Sequence, residues 1–212
     1  MEIYSPVLLV VSQNTEPTLR NFEVIRELKP LEFYISGPEK ELAEIVKQID
    51  WTCKLEINKD KLALPWFFSM AEEGIVVQDT SLPDSSFFFF AQAMLERYRA
   101  KKEIIVINGA NPEAISKSKF SYFFSHICIG GAWATWKRAW LSYQEELESV
   151  LSEGFYRSEG EIMSLVPKNN LIEFQKIQGS TPVTPIPFPL NHQIIFDIES
   201  RYDELVGKKV KL

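Results

Sequence analysis

The chain has 212 residues, 45% hydrophobic and 25% charged, an ordinary globular profile that suits one large domain with its own core. A net charge of −6 and a pI near 5.2 argue against a nucleic-acid surface, which needs clustered Lys and Arg. The two cysteines, Cys53 and Cys128, supply neither a disulfide framework nor zinc spacing, and reduced thiols fit a cytoplasmic setting. No stretch approaches the roughly 20 apolar residues of a membrane span, and no basic start precedes the apolar run Pro6 to Val11.

Val7-Leu8-Leu9-Val10-Val11 is a continuous apolar run and reads as a strand buried on both faces. From Pro17 to Leu28, Leu19, Phe22, Ile25 and Leu28 recur at helical spacing. Thr15 or Glu16 starts that helix, and Lys29-Pro30 stops it. Leu31 to Ile35 is a second strand. Glu39 to Ile49 is a second amphipathic helix, and the alternation in Cys53 to Ile57 marks a third strand. This opening is the pattern of a parallel sheet with right-handed crossovers.

A short helix is expected within Leu62 to Glu73, then a strand from Gly74 to Val77. Gln78-Asp79-Thr80 follows, and Ser81-Leu82-Pro83-Asp84 reads as a turn. Ser86 to Arg99 is a helix capped by Ser85 or Ser86, with Asp84 as a cap or first-turn acid. Its four phenylalanines, Phe87 to Phe90, cannot all face one core. Further strands are expected at Ile104 to Ile107 and Phe120 to Phe124, and helices at Lys137 to Leu151 and Ser158 to Val166. From 178 to 212 a Pro-rich extension packs on the α/β domain of 1–177, with a short helix at Ile194 to Val206.

A carboxylate at the end of a strand is where open α/β sheets place ligands, so Asp79 is the first candidate site residue. Trp133 beside Gly130 and Gly131 could stack on a sugar ring, the glycines letting a ligand approach the backbone. Trp136 and Trp140, four apart, read as core. Glu145, Glu146 and Glu148 follow on a helix where a general base could sit, against a solvated-face reading. His126 and His192 are the only histidines, and each reads as structural.

The order of these pieces resembles GT-A-fold glycosyltransferases, enzymes with a Rossmann-like, mostly parallel sheet that use nucleotide-diphospho-sugars. It is similar in particular to a bacterial group sometimes labelled hemolytic-protein-like, itself distantly similar to the N-acetylglucosaminyltransferase that initiates complex N-glycans. The anchors are Ile49 to Cys53, Trp66-Phe67-Phe68, Glu72 to Val76, Leu82 to Phe88, Gly131 to Trp140 and Asn170-Leu171-Ile172. The resemblance implies a nucleotide-sugar donor, a glycan or other hydroxyl acceptor, and a role in polysaccharide assembly. It implies a cytoplasmic location or one in a membrane-associated biosynthetic complex.

The family's strand-end motif is Glu-Asp-Asp, which holds Mn²⁺ or Mg²⁺ against the donor diphosphate. Here Gln78-Asp79-Thr80 stands in its place, leaving Asp79 as the one remnant metal ligand or as a sugar or ribose ligand. Gln78, Thr80, Gly131 and Trp133 take donor-binding roles by the same correspondence, with Gln13 and Asn14 in the first loop. That loop lacks the family's arginine, an Asn-Leu-Gly segment is missing before Leu62, and Ile177 to Thr181 lacks the family's acids and histidine. Two readings stay open: a divergent active transferase, and a non-catalytic transferase-derived module that binds a glycan or a protein.

Overall fold

The computed structural model describes residues 2–11, 15–59, 62–111, 121–158 and 160–174. The 178–212 extension, with its expected helix and His192, lies outside the described residues.

The opening alternation holds. β1 (Val7–Val10), α1 (Thr15–Leu28), β2 (Glu32–Ser36), α2 (Glu39–Val46) and β3 (Lys54–Asn58) follow in order, and the three strands pair in parallel. Lys29 ends α1 in a left-handed conformation (φ 51°), its N–H donating to the Ile25 carbonyl just before Pro30. After α3 (Ala63–Met70), β4 (Glu73–Gln78) returns to the other side of β1, again in parallel. β5 (Ser81–Pro83), α4 (Ser85–Tyr98), β6 (Ile104–Asn108), β7 (Tyr122–Ser125), β8 (Ile127–Ile129) and β9 (Ala132–Trp136) come next. The described chain continues through α5 (Lys137–Ser142), α6 (Gln144–Glu153), β10 (Phe155–Arg157), β11 (Met163–Pro167) and β12 (Ile172–Phe174).

Eight strands form the central sheet in the order β3-β2-β1-β4-β9-β6-β11-β7. Six run the same way, while β9 and β7 are antiparallel to their neighbours. The sheet is therefore mostly parallel. Successive side chains of a strand point to opposite faces, so each face carries its own core. Leu9, Ile75 and Val77 pack with Phe22 and Ile25 of α1, Ile45 of α2 and Phe87 of α4. Leu8 and Val76 pack on the other side with Phe67 of α3, Trp140 of α5 and Val150 of α6. The result is helices, sheet, helices. No helix of the described residues is long and apolar enough to cross a membrane.

Three expectations need correction. The stretch Ser81 to Asp84 is not a turn: Ser81–Pro83 is β5, paired antiparallel with β12, and the turn is Asp79-Thr80 before it. The expected helix Lys137 to Leu151 is two helices, broken at Tyr143 (φ −136°, ψ 39°). The expected helix Ser158 to Val166 gives way to β11. Met163–Pro167 is buried at every position between β6 and β7, and a short run with no polar face suits a central strand better than an amphipathic helix. Phe87 and Phe88 are fully buried, and Phe89 and Phe90 lie half-buried against the same core.

Candidate functional site

The chain lays β1, β2 and β3 outward in one direction and then starts again on β1's other side with β4. In open α/β sheets this reversal leaves a crevice at the carboxyl ends of the two strands, where ligands bind. Here the crevice lies at the carboxyl ends of β1 and β4, beside Val11 and the turn after Gln78. Gln13 and Asn14, the donor-loop candidates, lie outside the described residues.

Asp79 and Thr80 form the tight turn between β4 and β5; Asp79 is half-buried and Thr80 exposed. The carboxylate therefore stands at the carboxyl end of a central strand, beside the reversal, within reach of solvent.

Gln78 does different work. Its side chain is buried, and both polar ends are used by backbone. Oε1 accepts the Gly131 N–H at 2.6 Å, and Nε2 donates to the Leu151 carbonyl at 2.7 Å. The Gln78 N–H donates to the Gly131 carbonyl at 2.6 Å, and its own carbonyl accepts Asn21 Nδ2 at 2.9 Å. One residue thereby ties β4 to the β8–β9 turn, to the end of α6 and to α1. The donor-binding role expected of its side chain is corrected to this one, because an amide with both ends engaged has little left for a ligand.

The glycines serve the same closure. A Cβ on Gly130 would lie 2.4 Å from the Val150 carbonyl, and one on Gly131 (φ +94°) would lie 2.8 Å from Ser81 Cβ and Oγ. Their close approaches are to α6 and β5, so the ligand contact expected of Gly131 is corrected to a packing role. Trp133 is also corrected. It is fully buried opposite Val76, among Val150, Leu147 and Trp140, with no face open for a sugar. Trp136 and Trp140 are core as expected, and Trp136 Nε1 donates to the Leu95 carbonyl at 3.1 Å.

Glu145 and Glu146 lie in the first turn of α6, while Leu151, near its end, is the residue that meets Gln78. The helix rise between Glu145 and Leu151 is about 9 Å along the axis. Both acids therefore lie at the opposite end of α6 from the residue that meets Gln78. Asp84, by contrast, is the cap of α4: it accepts the Ser86 N–H at 2.8 Å. Hydrogen bonds from the Ser86 side chain and backbone hold its carboxyl below the usual range. His126 Nδ1 pairs with the Ile162 carbonyl at 2.9 Å, a tie between the β7–β8 junction and the approach to β11.

Two residues at this edge carry no sequence signal. Asn21 sits on α1 and Ser81 opens β5. Both are fully buried, and Asn21 Oδ1 and Ser81 Oγ have no hydrogen-bond partner among the described residues. Their types are ordinary for a helix and a turn, so only the fold places them beside Gln78.

A hard divalent cation needs several oxygen ligands, with carboxylates preferred. At this turn the described residues offer one carboxylate, Asp79, an exposed hydroxyl, Thr80, and an amide already engaged. No three His, Cys, Asp or Glu side chains among the described residues group as a metal site. This donor set does not fit Mn²⁺ or Mg²⁺.

No known family's sequence profile matches the chain. No curated protein matches it either. Several solved structures are similar in outline. One is a CMP:2-keto-3-deoxy-manno-octonic acid synthetase complexed with CTP: 8% identity, 79% of this chain and 93% of that one, TM-score 0.41. Another is a mannose-1-phosphate geranyltransferase from Thermus thermophilus: 13% identity, 82% and 76%, TM-score 0.42. A third is the inositol-1-phosphate CTP transferase from T. maritima: 11% identity, 95% and 97%, TM-score 0.42. Likeness at this level says nothing about activity.

Proposed function

We propose that the chain binds a nucleotide-activated sugar across the carboxyl ends of β1 and β4 and transfers the sugar to a glycan or other hydroxyl acceptor. The observation that carries this reading is the Asp79-Thr80 turn, an accessible carboxylate at the end of a central strand beside the chain reversal. In this reading Asp79 accepts hydrogen bonds from sugar or ribose hydroxyls, and Thr80 lends its hydroxyl alongside.

The chemistry is a direct displacement. The acceptor oxygen attacks the anomeric carbon, the bond to the diphosphate oxygen breaks, and the acceptor's proton passes to a base. The nucleoside diphosphate carries the electron pair away. The protein's own share is orientation: β4, locked through Gln78, holds the turn rigidly under the donor. Calorimetry with a panel of nucleotide-diphospho-sugars, with and without Mn²⁺, tests the reading. Binding that weakens in an Asp79→Ala variant supports it, and no binding by any member overturns it.

A second reading is a non-catalytic module that binds a glycan or a protein. Gln78 favours it, since the residue in a motif position is fully engaged in holding the fold together. Binding of a nucleotide sugar without turnover over any acceptor would select it.

A further inference from the structure

The central sheet ends in two edge strands, β3 and β7, and they differ. β7 is buried at every position. β3 is not: Lys54 and Ile57 are exposed, and Leu55 and Glu56 are half-buried. Among the described residues no strand pairs with its outer side. Two bonds fix which way its backbone groups point. The Lys54 N–H donates to the Leu31 carbonyl at 2.8 Å, and the Asn58 carbonyl accepts the Gly37 N–H at 3.1 Å. In a parallel ladder alternate residues turn their N–H and C=O to the same side. Lys54, Glu56 and Asn58 therefore bond toward β2, and Leu55 and Ile57 present both groups outward.

Edge strands are ordinarily guarded against pairing by brevity, a proline, a bulge or a lysine. β3 has five residues in unbroken register with β2 and no proline. Its lysine is turned inward: Lys54 Nζ donates to Glu32 Oε2 and Tyr34 Oη on β2, both at 2.9 Å. We infer that β3 is an interface for a second copy of this chain, which pairs antiparallel with it about a two-fold axis through Leu55 and joins the two sheets edge to edge. The charges select that occupant. About this axis Lys54 of each copy stands opposite Glu56 of the other, so the strand is its own complement. The ammonium has three donors and the contacts to β2 use two, which leaves one for that carboxylate. Leu55 faces its counterpart and exchanges both backbone bonds with it, and Ile57 faces the second copy's Cys53. Moving the axis by one residue either way sets Glu56 against Glu56 or Lys54 against Lys54. A peptide of other sequence would gain the backbone bonds without these pairs. β3 lies three strand spacings from β4, about 14 Å, so the pairing does not cover the Asp79 turn.

Sedimentation velocity over a dilution series of the full chain tests the interface, with circular dichroism to check that each variant folds. Wild type passes from monomer to dimer as concentration rises. Ile57→Pro keeps the β2 ladder, because the N–H it removes points outward. Its dimer is weakened by about tenfold or more, since each copy loses a bond to the other. Glu56→Lys sets like charges opposite one another and also weakens the dimer. Lys54→Glu is made together with Glu32→Lys, which keeps the ion pair between β2 and β3 with its signs exchanged. That variant is weakened alone, yet mixed with Glu56→Lys it forms a heterodimer, because every opposed pair is again unlike. Oxidised Ile57→Cys gives a covalent dimer whose peptide map joins Cys53 of one copy to the substituted position of the other. Within one chain those positions are about 13 Å apart along the strand, too far for a disulfide. A wild type that stays monomeric up to its solubility limit overturns the inference. So does a dimer that Ile57→Pro and Glu56→Lys leave unchanged, or a mixture of the two charge variants that does not associate.

Discussion

Gln78 and Gly131 hold each other twice: the Gln78 N–H donates to the Gly131 carbonyl and the Gly131 N–H donates to Gln78 Oε1, both at 2.6 Å. The side-chain bond completes a ring that backbone pairing alone would leave open at the last residue of β4. Its other arm, Nε2 to the Leu151 carbonyl, fixes the carboxyl end of α6 on the same spot. The strand end that presents Asp79 is therefore rigid, and that rigidity is testable.

Gln78→Glu keeps an acceptor for Gly131 but removes the donor facing Leu151. At neutral pH a buried carboxylate would meet a carbonyl oxygen, at a cost of about 1–3 kcal/mol. Protonation restores an O–H donor, so the folded-state pKa of the new carboxyl is raised. The sign follows: relative stability is recovered below the unfolded pKa near 4.3 and lost as pH rises toward the folded value. Urea midpoints of variant and wild type should converge at acid pH and diverge at pH 8. A gap independent of pH would mean that Gln78 does not meet Leu151 as a donor.

Gly131→Ala and Gly154→Ala separate backbone strain from packing. Both glycines have positive φ, +94° and +85°, so each alanine incurs the left-handed penalty of about 1–2 kcal/mol. Only at Gly131 does the new methyl also strike Ser81, whereas nothing lies within 4 Å at Gly154. Gly131→Ala should be the more destabilising by about 1–3 kcal/mol in chemical denaturation. Equal losses would show that the β8–β9 turn has room to shift.

Asp84→Ala removes the cap of α4, and the expected loss is about 1 kcal/mol at neutral pH. The capped carboxyl is held below its usual range by Ser86, so its contribution is present above the unfolded pKa near 3.9. That contribution fades as pH falls through the lower folded value. Thermal midpoints measured from pH 7 down to pH 2 should show the variant approaching wild type at the acid end. A constant difference would assign the loss to something other than the charged cap.

The parallel half of the fold was legible because its signals are local. Val7 to Val11 is a plain apolar run, and Leu19, Phe22, Ile25 and Leu28 keep helical spacing. The missed elements depend on distant partners. Met163–Pro167 becomes a strand because β6 and β7 flank it. Ser81–Pro83 becomes one because β12 lies beside it. At the site, the position of Asp79 followed from the pattern of strand and turn. The fate of its neighbours did not, since a Gln bonded to two backbone segments reads in sequence like any other Gln. Trp133 shows the same limit: burial or exposure of an aromatic beside glycines is decided by what packs on it, here α6. The division of the expected Lys137 to Leu151 helix was not legible because the break at Tyr143 carries no Pro or Gly.

Titration of nucleotide-diphospho-sugars into wild type and Asp79→Asn, with EDTA in one arm and Mn²⁺ in the other, tests the account most directly. At least one sugar nucleotide should bind wild type in EDTA, and the Asn variant should bind it about tenfold more weakly, the loss of a charged hydrogen-bond acceptor. Failure of every donor to bind wild type, or equal affinity in the variant, would contradict the assignment of the ligand site to the end of β4.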